Sequence, residues 1–150
     1  MPEIMEARRG NFLISTDPAR LDLDAIAGML KRSYWASGRP RERTERALRN
    51  SLVFGLYEGD QQIGMARVVS DYSIFAYLCD VFILEEYRGD GLGKWLMETV
   101  FGHPDLQGLR RWTLTTRDAH GLYRQYGFDP MASPESWMER FSPYPGEGRD

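Results

Sequence analysis

The feature that most restricts the possible folds is a glycine-rich run, Arg88-Gly89-Asp90-Gly91-Leu92-Gly93-Lys94, set between an apolar segment and a helix-patterned one. Ile74 to Leu84 is the most apolar stretch and reads as a central strand. Gly91 to Phe101 repeats Leu92, Leu96, Thr99 and Val100 at helical spacing. A chain that leaves a buried strand through glycines and enters a helix gathers first-turn N–H groups that lack intrahelical partners. Glycine keeps side chains away and the helix dipole adds partial positive charge, so the arrangement suits an anion. Spacing excludes two phosphate loops. A Walker loop needs glycine where Arg88 stands and Ser or Thr where Trp95 stands. A dinucleotide fingerprint begun at Gly89 needs glycine in place of Lys94.

The remaining pattern is that of a mixed α/β layer fold, and 150 residues is the size of a single domain, 1–150. Residues 1–10 are charged, unpatterned and expected to be frayed or flexible. Asn11 to Ser15 reads as a first strand, after which Asp22 or Asp24 caps a helix carrying Leu23, Ile26, Ala27 and Leu30. A second helix runs from about Arg41 to Asn50 with Ala47 and Leu48 inward. Ser51–Tyr57 and Gln62–Val69 form a hairpin about Glu58-Gly59-Asp60. Trp112 to Thr115 is a short strand, and Asp118 is placed to cap a helix with Leu122, Tyr123 and Tyr126. Gly127-Phe128 and Trp137 to Phe141 read as a last pair of strands around Ser133-Pro134.

The formal net charge of −3 argues against a general nucleic-acid binder. The apolar runs are too short for a bilayer and the N-terminus lacks a secretory apolar core, so a cytoplasmic location is expected. One cysteine, Cys79, excludes an intrachain disulfide and a Cys-cluster zinc site. Two histidines without ligand spacing imply no metal.

Arg88, Gly91 and Gly93 fit Arg-x-x-Gly-x-Gly, and a second segment joins them: Trp112-Thr113-Leu114-Thr115, then Asp118 to Phe128 with Leu122-Tyr123-Arg124-Gln125-Tyr126-Gly127-Phe128. In this order the chain resembles the GNAT superfamily of acyl-CoA-dependent N-acyltransferases. The hairpin from Phe54-Gly55 to Gly64-Met65-Ala66-Arg67 is similar to the family's early strands, and the likeness runs from Asn11 to Phe141. It implies a central, mostly antiparallel mixed sheet with splayed parallel strands, flanked by helices. It also implies acetyl-CoA as donor substrate and transfer of the acetyl group to a primary amine by direct attack. The loop Arg88, Gly89, Asp90, Gly91, Leu92, Gly93 and Lys94 would hold the pyrophosphate. The donor arm would lie between the strand of Val81-Phe82-Ile83 and that of Trp112-Thr113-Leu114, with backbone contacts to Val81 and Ile83. Many members carry an Asn ahead of the later helix. The matching position here is Thr116, with Asp118 the nearest residue of similar shape.

Tyr123 matches the family's general acid, protonated at neutral pH and able to donate to a departing thiolate. Asp80, sharing a face with Leu78 and Phe82 by alternation, is either the base for the amine or the structural partner of an arginine. His120 has base chemistry but sits at the helix start, and His103 beside Pro104 reads as a helix stop. Cys79 is expected to point opposite Asp80, into packing. Tyr34, Trp35 and Tyr77 are candidate walls for the acceptor, with Phe75 equally ambiguous. Arg39, Arg41, Arg43, Arg46 and Arg49 read first as a solvated helix face, and otherwise as a collar for an anionic acceptor or for donor phosphates. The acceptor is a small-molecule or a protein amine, and family members often dimerise. The rival reading is a non-catalytic acyl-CoA sensor, which would need the loop but no acid.

Overall fold

The computed structural model describes residues 2–146. Among them, six strands form one sheet in sequential order: β1 (Glu6–Arg9), β2 (Phe12–Ser15), β3 (Leu52–Glu58), β4 (Gln61–Ser70), β5 (Phe75–Ile83) and β6 (Arg111–Thr113). The first five are antiparallel. β6 returns parallel to β5 after the crossover helix α3 (Leu92–Phe101), the connection a parallel pair requires. Helices α1 (Leu23–Lys31) and α2 (Arg41–Arg49) precede β3, and α4 (His120–Arg124) follows β6.

Alternation on the strands builds two apolar layers. One face presents Leu52, Phe54, Leu56, Ala66, Val68, Ala76 and Leu78 to the α3 stripe of Leu92, Trp95, Leu96 and Val100. The other presents Val53, Met65 and Phe82 to Ile26, Met29 and Leu30 of α1 and Leu48 of α2. The sheet is thus the middle of three layers, the mixed α/β architecture expected. α4 spans only five residues and is too short to stand by itself. An aromatic cluster holds it, Phe101 stacking near Trp112, Tyr126 and Phe128 at 4.9, 5.2 and 5.6 Å between ring centroids.

Several expectations are corrected. Residues 6–9 are not frayed: they pair with β2 through a turn at Gly10, whose φ is +58°. The strand escaped notice because an edge strand can be charged along its length. Of the two caps expected for α1, Asp22 is the one that forms, its carboxylate accepting the Ala25 N–H at 3.1 Å, while Asp24 lies in the first turn. In α2 the buried residues are Thr44 and Leu48, with Ala47 only half-buried. The last pair of strands does not form. Pro134 opens a single 3-10 turn, and Trp137 to Phe141 runs exposed and irregular, Met138 being 95% exposed. Asp118 does not cap α4. Its N-cap is Ala119, without a side-chain cap, and the Thr116 hydroxyl accepts the Ala119 N–H at 3.0 Å just ahead of the helix. No helix among the described residues is long and apolar enough to cross a membrane.

Candidate active site

The parallel pair β5–β6 is joined only at Phe75–Arg111, Ala76–Trp112 and Tyr77–Thr113. Beyond Tyr77 the two strands part, and among the described residues no strand pairs with the upper half of β5 on that edge. The Leu84 N–H donates to Ile63 O at 2.8 Å, which aims residues 84 and 82 at β4. Alternation turns the backbone N–H group of Ile83 the other way, toward the opening. A bulge lies at the same level. Between the pairs Met65–Phe82 and Arg67–Cys79, Asp80 and Val81 stand opposite the single residue Ala66, and Asp80 has φ +50°.

The bulge resets the alternation on which the sequence reading of Asp80 depended. Leu78 packs in the α3 layer and Phe82 in the α1 layer, so Asp80 shares its side with Phe82 only. Its carboxylate is 1% exposed and accepts from Trp35 Nε1 at 2.9 Å, Arg39 at 2.9 and 3.1 Å, and Arg67 Nε at 2.8 Å. Burial by itself would raise the Asp80 pKa, but the two guanidinium groups outweigh it and hold the carboxyl below its ordinary value. Of the two roles open to Asp80, the geometry is that of an arginine partner. A carboxylate with both oxygens occupied and a depressed pKa is a poor proton acceptor. Cys79, cross-strand from Arg67, lies on this same side rather than opposite Asp80. Burial pushes its thiol up to about 11, which disfavours the thiolate that a covalent intermediate would need at neutral pH.

The glycine run leaves β5 through a turn at Glu85–Tyr87 and is exposed from Arg88 to Gly91. Gly89 and Gly91 have φ +94° and +81°, and a Cβ at either would meet nothing within 4 Å. Gly91 is the N-cap of α3 and supplies no side-chain cap, so the first-turn N–H groups of Leu92, Gly93 and Lys94 face open space. Leu92 points into the core, Gly93 is half-buried and Lys94 is exposed. Arg88 folds back, donating from Nε to Ile83 O at 2.8 Å and lying 5.1 Å over the Phe82 ring. A backbone cradle without occluding side chains fits the pyrophosphate of a nucleotide donor.

Tyr123 faces a cleft of ≈ 310 Å³ lined also by Leu114, Thr115, Thr116 and His120. Its hydroxyl makes no hydrogen bond among the described residues, and burial, with smaller effects from Tyr34 and Asp118, pushes its pKa up to about 12. Tyr34 reaches from the loop after α1 to the segment after β6: its oxygen accepts the Arg117 N–H at 2.9 Å, under the Arg117 guanidinium at 3.9 Å. Trp35, in edge contact with Tyr34, is bonded to Asp80 on β5. These neighbours therefore span the parting of the strands. Tyr77 is half-buried at the last paired level, and the Asp118 side chain is exposed.

Sequence reasoning missed Arg39 and Arg67. Arg39 was absorbed into an arginine-rich helix face, and Arg41 does behave that way, pairing with Asp24 and Glu45. Arg67 carried a usable signal: a charge between Ala66 and Val68 on an apolar strand needs a buried partner.

A splayed parallel pair beside an anion cradle and a phenol defines an acyltransferase-like α/β class, and the comparisons with known proteins bear on it directly. Residues 49–130 match the family profile described as "Acetyltransferase (GNAT) domain". A Gibberella zeae protein assigned as an acetyltransferase is 37% identical over 138 residues, covering 77% of each chain. A solved Xanthomonas campestris pv. campestris structure, assigned to the GNAT family, is 47% identical with a TM-score of 0.84, over 95% of this chain and 96% of that one. A Clostridium acetobutylicum protein solved with acetyl-CoA shares the fold, with a TM-score of 0.63 at 15% identity, over 87% and 95% of the two chains. The chain belongs to the GNAT family of acetyltransferases. It is an N-acetyltransferase, and enzymes of this family use acetyl-CoA.

Proposed function

We propose that the chain transfers the acetyl group of acetyl-CoA directly to a primary amine. The observation that carries the reading is the parting of β5 and β6 beside the bulge, with the unbonded Tyr123 hydroxyl on one side and the open N-terminus of α3 on the other. The first-turn N–H groups of α3, with Arg88 and Lys94, hold the pyrophosphate. The N–H groups of Val81 and Ile83 face the pantetheine arm and the thioester oxygen, where donors fixed in place favour the oxyanion over the ground state. Thr116 and Asp118 flank the arm, and Tyr34, Trp35 and Tyr77 wall the acceptor.

The neutral amine attacks the thioester carbonyl, giving a tetrahedral adduct with positive nitrogen and negative oxygen. The carbonyl re-forms as the C–S bond breaks, the electron pair leaving on sulfur. Tyr123 donates its proton to sulfur and is restored by the proton that nitrogen must lose. A phenol near 12 stays protonated across the working range, so it is always ready to donate. Relaying the ammonium proton suits it better than acting as a free acid, since a thiolate near 8.5 would not strip it.

Calorimetric titration of acetyl-CoA tests the donor site: binding is expected for the native chain and loss of it in Gly91→Glu, whose carboxylate enters the anion cradle. An amine screen read by thiol release then supplies an acceptor. With it, Tyr123→Phe should lower kcat by about 10²- to 10⁴-fold while acetyl-CoA affinity holds. Unchanged turnover would remove Tyr123 from the mechanism.

A further inference from the structure

We infer that Asp80 is a positioning residue of the donor site: gripped by Arg39, Arg67 and Trp35, it holds β5 in its bulge and so sets the direction of the Val81 and Ile83 N–H groups. The inference rests on the donor reading above and deepens it. A residue other than glycine at φ +50° persists only where its surroundings over-determine it, and Asp is among the few side chains that visit this region. The surroundings here are specific. Four N–H donors converge on one carboxylate, three from the loop after α1 (Trp35 once, Arg39 twice) and one from Arg67 on β4. Arg67 is tied in turn to Ser51, ahead of β3, at 3.1 Å. The bulged residue is thereby referenced to the sheet on one side and to the acceptor-side loop on the other.

No glycine lies between Phe75 and Ile83 to make the bulge by backbone freedom, and the residue opposite it is a plain alanine. The ion cluster is the feature at this level that distinguishes the bulged register from a regular one. A one-residue slip would exchange the inward and outward groups above Asp80, turning the N–H group of Ile83 into β4. Asp80 therefore acts through backbone groups and touches neither substrate.

The test reads the thioester carbonyl itself. Acetyl-CoA labelled with ¹³C at the carbonyl is bound to the full chain, and its resonance is compared with the free compound, alongside the affinity for CoA, which has no carbonyl. In the native protein the bound resonance should move downfield, as polarisation by N–H donors requires. In Asp80→Asn most of that displacement should disappear while CoA affinity changes by less than about twofold. Arg39→Lys keeps the charge but loses the two-pronged grip, and should give an intermediate displacement. It also decides the matter if far-UV circular dichroism finds Asp80→Asn unfolded. Full displacement retained in a folded variant overturns the inference and leaves the donor site standing. Failure of the native chain to bind acetyl-CoA overturns the donor reading and this inference with it.

Discussion

The two ends of the β5 edge are built by opposite means. At its C-terminal exit the Arg88–Gly91 loop lies in solvent, shaped by positive φ at two glycines and uncapped N–H groups, with the Arg88 side chain folded back onto Ile83 O. A turn away, the Asp80 bulge is buried, and three side chains from two distant parts of the chain, the loop after α1 and β4, hold it. The first region is an exposed backbone cradle. The second is a fully partnered ion cluster. The difference teaches where a mutation should be felt, as ligand affinity in the loop and as folding stability at the bulge.

The sharpest way to break that contrast is Asp80→Ala, which strands two arginines in a buried site. It should cost about 3–5 kcal/mol, read by urea denaturation of the ligand-free protein. A loss as small as that of a surface pair would mean that the cluster is solvated and the contrast false. Gly91→Ala is the counterpart. The added Cβ meets nothing, so only the left-handed backbone is strained, at roughly 1–2 kcal/mol. Acetyl-CoA affinity should fall more visibly than stability.

Acid titration of stability sharpens the picture further. The folded Asp80 carboxyl lies below its ordinary 3.8, so its contribution is complete above that value and is lost as pH falls through the lowered one. His103 is also depressed, by burial: the unfolded chain takes the proton first, and stability declines as pH falls below 6.5. Denaturation midpoints against pH should therefore fall in two separate ranges, with Asp80→Ala removing only the more acidic. The smallest expected effect is Arg41→Ala. Its pairs with Asp24 and Glu45 are exposed, and the melting temperature should not move measurably.

How much of this was legible depended on the range of the interactions. The α3 stripe, the β3–β4 hairpin and the glycine run are local patterns, each closed within a short stretch of chain, and the structure has them near their expected places. The charged edge strand Glu6–Arg9 was invisible because its identity lies in its neighbour, not in its own alternation. The expected strands near Trp137 failed for the converse reason: a strand-like pattern requires an edge to pair with. Asp80 was misplaced by a single bulge, since period-two reasoning assumes a regular ladder and one extra residue inverts every face beyond it.

By itself the sequence determined the class of fold and the backbone cradle, because glycine positions, helical periodicity and apolar runs act on the chain where they stand. Only the tertiary structure decided what Asp80 does. Residues 35, 39, 67 and 80 meet through the packing of a loop against two strands, and burial then selects among the chemistries a carboxylate can perform. Charge in the interior is a property of the whole arrangement around it, and no spacing along the chain encodes that.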